Sequence, residues 1–139
     1  MTVLVDASVI VAAHNPRDEH HERGLALVEA LQQGVHGEPM TTDFVLDEVV
    51  TVALARTGRH AVAVAAARFV LPPDPDAHWI RLESVEREEL FRALDLFLAS
   101  GRRDLSFTDW TIVAAVRGGR AEAVVSFDED FDDLVPRIS

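Results

Sequence analysis

The amino-acid sequence predicts an α/β fold in which helices cover both faces of a central, mostly parallel sheet. It also predicts a single domain over residues 1–139. A length of 139 residues suits one domain with its own hydrophobic core. Hydrophobic residues make up 48% and charged residues 27% of the chain, which is typical of globular proteins. Short apolar runs alternate with longer segments of helical periodicity, and that alternation favours a parallel sheet.

Four short segments are predicted to form strands. Val3–Val5 is an apolar run rich in β-branched residues, which suits a strand buried on both faces. Similar short runs predict strands at Pro39–Thr41, Trp79–Leu82 and Ala123–Val125. After the last of these we expect an acidic tail from Asp128 to Asp133.

Five segments have apolar residues at the spacing of an amphipathic helix. Glycine or proline follows the end of each, as is typical of helix termination. The predicted helices cover Leu25 to Gly34, Asp43–Thr57, His60–Val70, Glu86–Ala99 and Thr108–Val116. The apolar side of the fourth consists of Leu90, Leu94, Phe97 and Leu98. These four side chains suit either the core or a surface that a partner covers.

The composition excludes several kinds of chemistry. The chain has no cysteine, so disulfides, thiolate metal sites and a cysteine nucleophile are excluded. All 13 basic residues are arginine, which excludes lysine Schiff bases and the lysine of a phosphate-binding P-loop. The net charge of −11 makes the average surface unfavourable for non-specific binding of nucleic acid.

No segment resembles a targeting signal or a membrane anchor. Asp6 interrupts the apolar amino terminus, which carries no basic leader. The longest uninterrupted apolar run, Ala61–Ala67, is far shorter than the ~20 residues that span a bilayer. We therefore expect a cytoplasmic protein that makes no contact with a membrane.

Acidic residues occur where two predicted strands end and where two predicted helices begin. Asp6 directly follows the first strand, and Asp128 follows the last strand with two residues between them. Glu48 lies within the first two turns of its predicted helix, and Asp109 lies in the first turn of its own. Ligands of parallel sheets bind beyond the carboxyl ends of the strands, so these acids are candidate site residues.

Three of these acids also have a purely structural interpretation. Asp6 is suited to cap the helix that follows it. Asp109 completes a capping-box pattern with Ser106, and Asp128 suits an exposed turn.

Glu48 is less easily explained as a structural residue. It shares a helical stripe with apolar side chains such as Val45 and Val52, and an unpaired carboxylate there is costly. Lysine is absent and the nearest arginine, Arg56, is two turns away. A divalent cation such as Mg²⁺ or Mn²⁺ would balance several carboxylates that meet at one edge of the sheet.

Four segments together resemble the sequence motifs of the PIN-domain family. They are Val3–Ile10, Thr42–Val49, Leu105–Trp110 and Val125–Phe131. The last resembles the family's Ser/Thr-x-Asp-x-Asp-Phe pattern, and the four occur in the family's order. In addition, His20–Leu25 resembles the helix start of VapC toxins, the ribonuclease half of type II toxin–antitoxin pairs.

This resemblance implies a three-layer α/β/α fold and a metal-dependent endoribonuclease. It implies that Mg²⁺ or Mn²⁺ is bound by Asp6, Glu48, Asp109 and Asp128. Asp130 is an alternative fourth acid, although Asp128 lies nearer the strand end. Ser8 and Ser126 are expected to orient the carboxylates through hydrogen bonds.

The resemblance also implies partners: an RNA substrate, a small cognate antitoxin and a second copy of the chain in a homodimer. The alternative is a PIN fold that assembles a complex without turnover. His20 and His21 are interpreted as surface or helix-start residues. The sequence does not rank the candidate RNA contacts, which are Arg17, Arg23, Arg56, Arg59, Arg102, Arg103, Arg117 and Arg120.

Overall fold

A five-stranded sheet forms the centre of the molecule. The computed structural model describes residues 1–139, and all four strand pairs in it are parallel. The strands are β1 (Thr2–Val5), β2 (Glu38–Thr42), β3 (Arg81–Glu83), β4 (Ala123–Val125) and β5 (Arg137–Ile138), and their order is β3-β2-β1-β4-β5. The first strand along the chain is therefore the central one.

The central strand is apolar because both of its faces are covered. Val3 and Val5 point to one face and Leu4 to the other, and all three side chains are fully buried. Leu4 pairs with Met40 on β2 and with Val124 on β4, and both are buried as well. Helices therefore pack on both faces, which gives the three-layer α/β/α arrangement that was predicted.

Six helices connect the strands. They are α1 (Ala7–His14), α2 (His21–Gln32), α3 (Asp43–Thr57), α4 (His60–Val70), α5 (Arg87–Ser100) and α6 (Phe107–Arg117). Helix α1 packs against α2, α3 and α4, and α5 packs against α6. Helix α6 is buried continuously from Asp109 to Val116, so it holds Asp109 rigidly. No helix is both long enough and apolar enough to cross a lipid bilayer.

The structure differs from the sequence prediction at the edges of the sheet. The predicted strand Trp79–Leu82 is β3, Arg81–Glu83, because backbone pairing with β2 begins where Met40 pairs with Arg81. The acidic tail contains a short 3-10 helix, Glu129–Phe131, and β5 follows it. Neither this helix nor β5 was predicted.

Helix α5 exposes most of the side that was interpreted as core or partner surface. Leu94, Phe97 and Leu98 are 40%, 41% and 70% exposed. The buried residues of this helix are instead Glu89 and Ala93. The apolar side of α5 is therefore not part of the core.

Candidate active site

The candidate site lies at the carboxyl edge of the sheet, where neighbouring parallel strands end side by side. Val5 of β1 pairs with Val125 of β4, and the backbone N–H of Asp6 donates to the carbonyl of Val125 at 3.0 Å. This register places Asp6 next to Ser126. The parallel order thus joins two residues that are 120 positions apart in the chain.

Two helices that begin at the same edge supply the other carboxylates. Helix α3 starts directly after β2, and Thr42 caps it by accepting a hydrogen bond from the N–H of Val45 at 3.2 Å. Its second turn carries Glu48. Helix α6 carries Asp109 in its first turn.

The three carboxylates of Asp6, Glu48 and Asp109 converge on one point. One oxygen from each lies within 4.8 Å of the others. Asp6 and Asp109 are buried and Glu48 is half-buried. None of the three forms a salt bridge with an arginine. The cluster thus concentrates negative charge that no ion pair within the protein balances.

Asp6 has one oxygen fixed by hydrogen bonds and one without a partner. Its Oδ2 accepts hydrogen bonds from Ser8 Oγ and Ser126 Oγ, both at 2.8 Å. The N–H of Ser8 also points to Oδ2, at 3.4 Å, as in a helix cap. Its Oδ1 accepts no hydrogen bond from the protein and is available to a ligand.

Asp109 combines capping with membership of the cluster. Its Oδ2 accepts a hydrogen bond from the N–H of Ser106 at 2.9 Å, and its own N–H donates to Ser106 Oγ at 3.1 Å. These two bonds form the capping box of α6. The hydroxyl of Ser106 also donates to Oε1 of Glu48 at 3.5 Å, so Ser106 contacts both Asp109 and Glu48.

Burial and crowding raise two of the pKa values in the cluster. Loss of hydration raises the pKa of Glu48 from 4.5 to about 7, and the negative charges of Asp6 and Asp109 act in the same direction. Burial followed by the charge of Asp6 raises the pKa of Asp109 from 3.8 to about 7, against the hydrogen bonds from Ser106. The three carboxylates therefore resist full ionisation together unless a cation joins them.

The donor set fits a hard divalent cation. Carboxylate oxygens are the ligands that Mg²⁺ and Mn²⁺ prefer, and each of the three carboxylates has one oxygen that accepts no hydrogen bond from the protein. The hydroxyls of Ser8 and Ser126 fix the orientation of Asp6, which is how outer partners tune a metal ligand.

Asp128 and Asp130 lie differently with respect to this cluster. Asp128 lines the cavity of about 540 Å³ that contains Asp6, Glu48 and Asp109, which we call the carboxylate cavity. It does not belong to the close group of three, and its Oδ1 accepts a hydrogen bond from the N–H of Asp130 at 2.9 Å. Asp130 does not line the cavity. Of the two, only Asp128 therefore shares a cavity with the three carboxylates.

The loop before α2 supplies cavity residues that the sequence analysis did not connect with the site. Asp18 and His20 line the carboxylate cavity. The ring of His20 stacks on Phe127, with centroids 4.6 Å apart. His20 is exposed and precedes the first residue of α2, as expected. Its local sequence carries no signal of the stacking, because Phe127 is more than 100 residues away.

An all-parallel α/β domain with acids gathered at the carboxyl edge of its sheet is the arrangement expected of PIN domains. The sequence matches the PIN-domain family over residues 3–135, and the chain belongs to this family. No curated protein has significant sequence similarity to the chain.

The solved structures that resemble the chain include a toxin. VapC20 from Mycobacterium tuberculosis, described as a sarcin–ricin loop cleaving toxin, is 28% identical over 94% of this chain and 93% of its own, with a TM-score of 0.76. VapBC2 from Rickettsia felis, solved with a DNA fragment from its promoter, is 12% identical over 99% and 98%, with a TM-score of 0.69. FitAcB from Neisseria gonorrhoeae is 15% identical over 99% and 96%, with a TM-score of 0.61. The last two likenesses concern the fold alone.

Proposed function

We propose that the protein is an endoribonuclease that hydrolyses RNA phosphodiester bonds with a divalent metal ion and acts as the toxin of a toxin–antitoxin pair. The observation that carries this proposal is the convergence of Asp6, Glu48 and Asp109 within 4.8 Å, with no ion pair to an arginine. Membership of the PIN-domain family and the 28% identity to VapC20 support it.

Mg²⁺ or Mn²⁺ would be held by Asp6, Glu48 and Asp109, with Asp128 on the wall of the same cavity. A bound divalent ion activates water and stabilises the leaving oxygen during phosphodiester hydrolysis. Ser8 and Ser126 hold Asp6 in one orientation, and the capping box holds Asp109. Such fixed ligands need little reorganisation when the site is filled.

A PIN fold that only assembles a complex is less consistent with this site. Such a module gains nothing from carboxylates that repel one another and are partly dehydrated, because this arrangement costs folding free energy. In a catalytic site, the free energy of metal binding by the same carboxylates offsets that cost. The acidic cluster therefore favours turnover over assembly alone.

We propose the substrate class from VapC20, which has the highest sequence identity of the three compared structures. VapC20 is described as cleaving the sarcin–ricin loop, so a hairpin with that loop is the first structured RNA to test. Unstructured RNA of equal length provides the comparison.

The exposed apolar stripe of α5 supports a protein partner. Phe91, Leu94 and Leu98 recur at helical spacing and are 52%, 40% and 70% exposed. We propose that this stripe is the homodimer interface and that a small antitoxin is the second protein partner.

The decisive experiment compares RNA cleavage by the wild-type protein and by Asp6→Asn. We expect cleavage with Mg²⁺ or Mn²⁺, none with chelator, and a loss of at least 100-fold in Asp6→Asn because the variant lacks a ligand charge. Circular dichroism checks that the variant folds.

The matched control is Asp47→Asn, because Asp47 is the exposed neighbour of Glu48 and lies outside the cluster. This variant is expected to cleave RNA like the wild-type protein. Equal cleavage by identically purified Asp6→Asn would identify a contaminating nuclease and would refute the proposed activity.

A further inference from the structure

A second cavity adjoins the carboxylate cavity. It has a volume of about 690 Å³ and lies between α1 with its following loop, α3 and α4. Arg17 and Arg56 line both cavities, so the two are continuous. We call the second one the arginine cavity, after Arg17, Arg56 and Arg59 in its lining.

The charge of the arginine cavity is opposite to that of the whole protein. Its three arginines are accompanied by no Asp or Glu, although the chain has 24 acidic residues and a net charge of −11. Small apolar side chains such as Ala53, Val62 and Ala66 form the rest of its wall. A ligand that combines negative charge with a flat or apolar part would match this lining.

The arginines of this cavity are hardly used by the fold. Arg17 and Arg59 have no side-chain hydrogen bond or salt bridge, and Arg56 approaches only Asp18, at 3.4 Å. Other arginines are engaged: Arg102 binds Asp104 and Asp133. Guanidinium groups without internal partners are free to bind phosphate.

We propose that the arginine cavity holds the RNA nucleotides next to the scissile phosphate, with their phosphates on Arg17, Arg56 and Arg59. This inference rests on the proposed ribonuclease function. The cavity volume suits a small ligand of about nucleotide size. Because the cavity continues into the carboxylate cavity, a bound strand passes directly from the arginines to the acids.

This arrangement solves an electrostatic problem of the site. An acidic protein with an acidic centre repels a polyanion, and affinity then depends on a local cluster of cations. The arginine cavity is such a cluster beside the carboxylates. Eight arginines are candidate RNA contacts on the basis of the sequence. Only these three line at least one of the two cavities, and the other five line neither.

The test measures cleavage of a fluorescent single-stranded oligoribonucleotide by Arg17→Gln, Arg56→Gln, Arg59→Gln and the triple variant. We expect the triple variant to raise KM at least tenfold at low salt, with kcat changed less than about threefold. Each lost phosphate contact lowers the salt slope by about 0.7 for single strands, so the slope of log KM against log salt should fall by about 2. Replacement of all three by lysine should restore the slope.

The matched control is Arg92→Gln, which removes the same charge from an exposed position. Arg92 lies against Gly118 at the end of α6 that is remote from Asp109. We expect its KM and salt slope to equal those of the wild-type protein. Thermal unfolding of every variant excludes loss of folding as the cause of a higher KM.

The outcomes separate this inference from the proposed function. If wild-type protein cleaves RNA while the triple variant keeps its KM and salt slope, the inference is refuted and the ribonuclease function stands. Unchanged RNA kinetics with weaker binding of the antitoxin would assign the cavity to a protein partner and would also refute it. If wild-type protein cleaves no RNA at all, the proposed function fails and the inference falls with it.

Discussion

Asp6 and Asp109 use their two carboxylate oxygens for different purposes. In each, Oδ2 accepts hydrogen bonds that fix the side chain, and Oδ1 is free of protein donors. From the sequence, a helix cap and a metal ligand were alternative interpretations of these residues. The structure shows that one carboxylate is able to serve both purposes, because capping occupies only one of its oxygens.

Glu48→Gln tests the crowding of the cluster through the pH dependence of stability. The pKa of Glu48 is about 7 in the folded protein and 4.5 ordinarily, so the folded state binds this proton more tightly. The resulting stabilisation is complete below pH 4.5 and is lost as the pH rises through about 7. We expect Glu48→Gln to raise the melting temperature of metal-free protein by a few degrees at pH 8 and to change it little at pH 4.

Thermal unfolding in chelator at both pH values measures this change in melting temperature. The control is Asp47→Asn, which removes an exposed charge next to Glu48. Added Mg²⁺ should stabilise the wild-type protein at pH 8 but stabilise Glu48→Gln much less. A Glu48→Gln protein that melts below the wild-type protein at pH 8 would contradict the repulsion inferred from the geometry.

The helices predicted most accurately are those whose ends are marked by glycine or proline in the sequence. Helices α3 and α4 were predicted with the observed bounds, because Gly58 and Pro72–Pro73 mark their ends. Gly58 adopts a φ of 64°, which favours glycine at a helix end. The residues of β4 were also predicted as observed.

The edge strands were harder to predict because their sequences carry little information. β3 contains exposed Arg81, and β5 has only two residues, both partly exposed. An edge strand has one neighbour and one open side, so its apolar pattern is weak. The pairing that defines β5 is with β4, and no local pattern around residue 137 reveals it.

Helix α5 contains a buried glutamate whose ion pair with a partly exposed arginine is not evident from the sequence. Glu89 is buried, and its Oε1 accepts hydrogen bonds from Arg120 and from the N–H of Glu86 at 2.8 Å. Its Oε2 has no partner. Arg120 is 31 positions away, so this pair depends on the packing of α5 beside the end of α6.

Arg120→Met is expected to destabilise the protein by about 3 kcal/mol, because it leaves the charge of Glu89 buried and unpaired. Adding Glu89→Met should recover most of that loss, apart from the capping contribution of about 1 kcal/mol. Urea unfolding of both variants measures the two free energies. Arg92→Met on the exposed side of α5 is the control, and a double variant no more stable than Arg120→Met would contradict the expectation.

Over the whole molecule, the two cavities and the exposed apolar stripe lie on different helices. The carboxylate and arginine cavities adjoin one another. The apolar stripe of Phe91, Leu94 and Leu98 lies on α5, and no residue of α5 lines either cavity. A second copy of the chain on this stripe would leave both cavities open. The proposed homodimer is therefore compatible with access of RNA to the acids.

Leu98→Asp is expected to convert a dimer into a monomer, because Leu98 is the most exposed residue of the stripe at 70%. Light scattering after gel filtration should give twice the chain mass of 15.3 kDa for the wild-type protein and the single mass for the variant. Leu25→Asp, at an exposed leucine of α2, is the control and should remain dimeric. A wild-type monomer, or a Leu98→Asp dimer, would exclude this interface.

The pairing of β1 with β4 has a consequence for the newly made chain. Asp6 leaves the ribosome long before Ser126, which orients it, because 120 positions of the chain separate the two residues. A growing polypeptide thus contains Asp6 and Glu48 long before it contains a complete cluster. The site is therefore assembled only after β4 and Ser126 have been synthesised and have paired with β1 and Asp6.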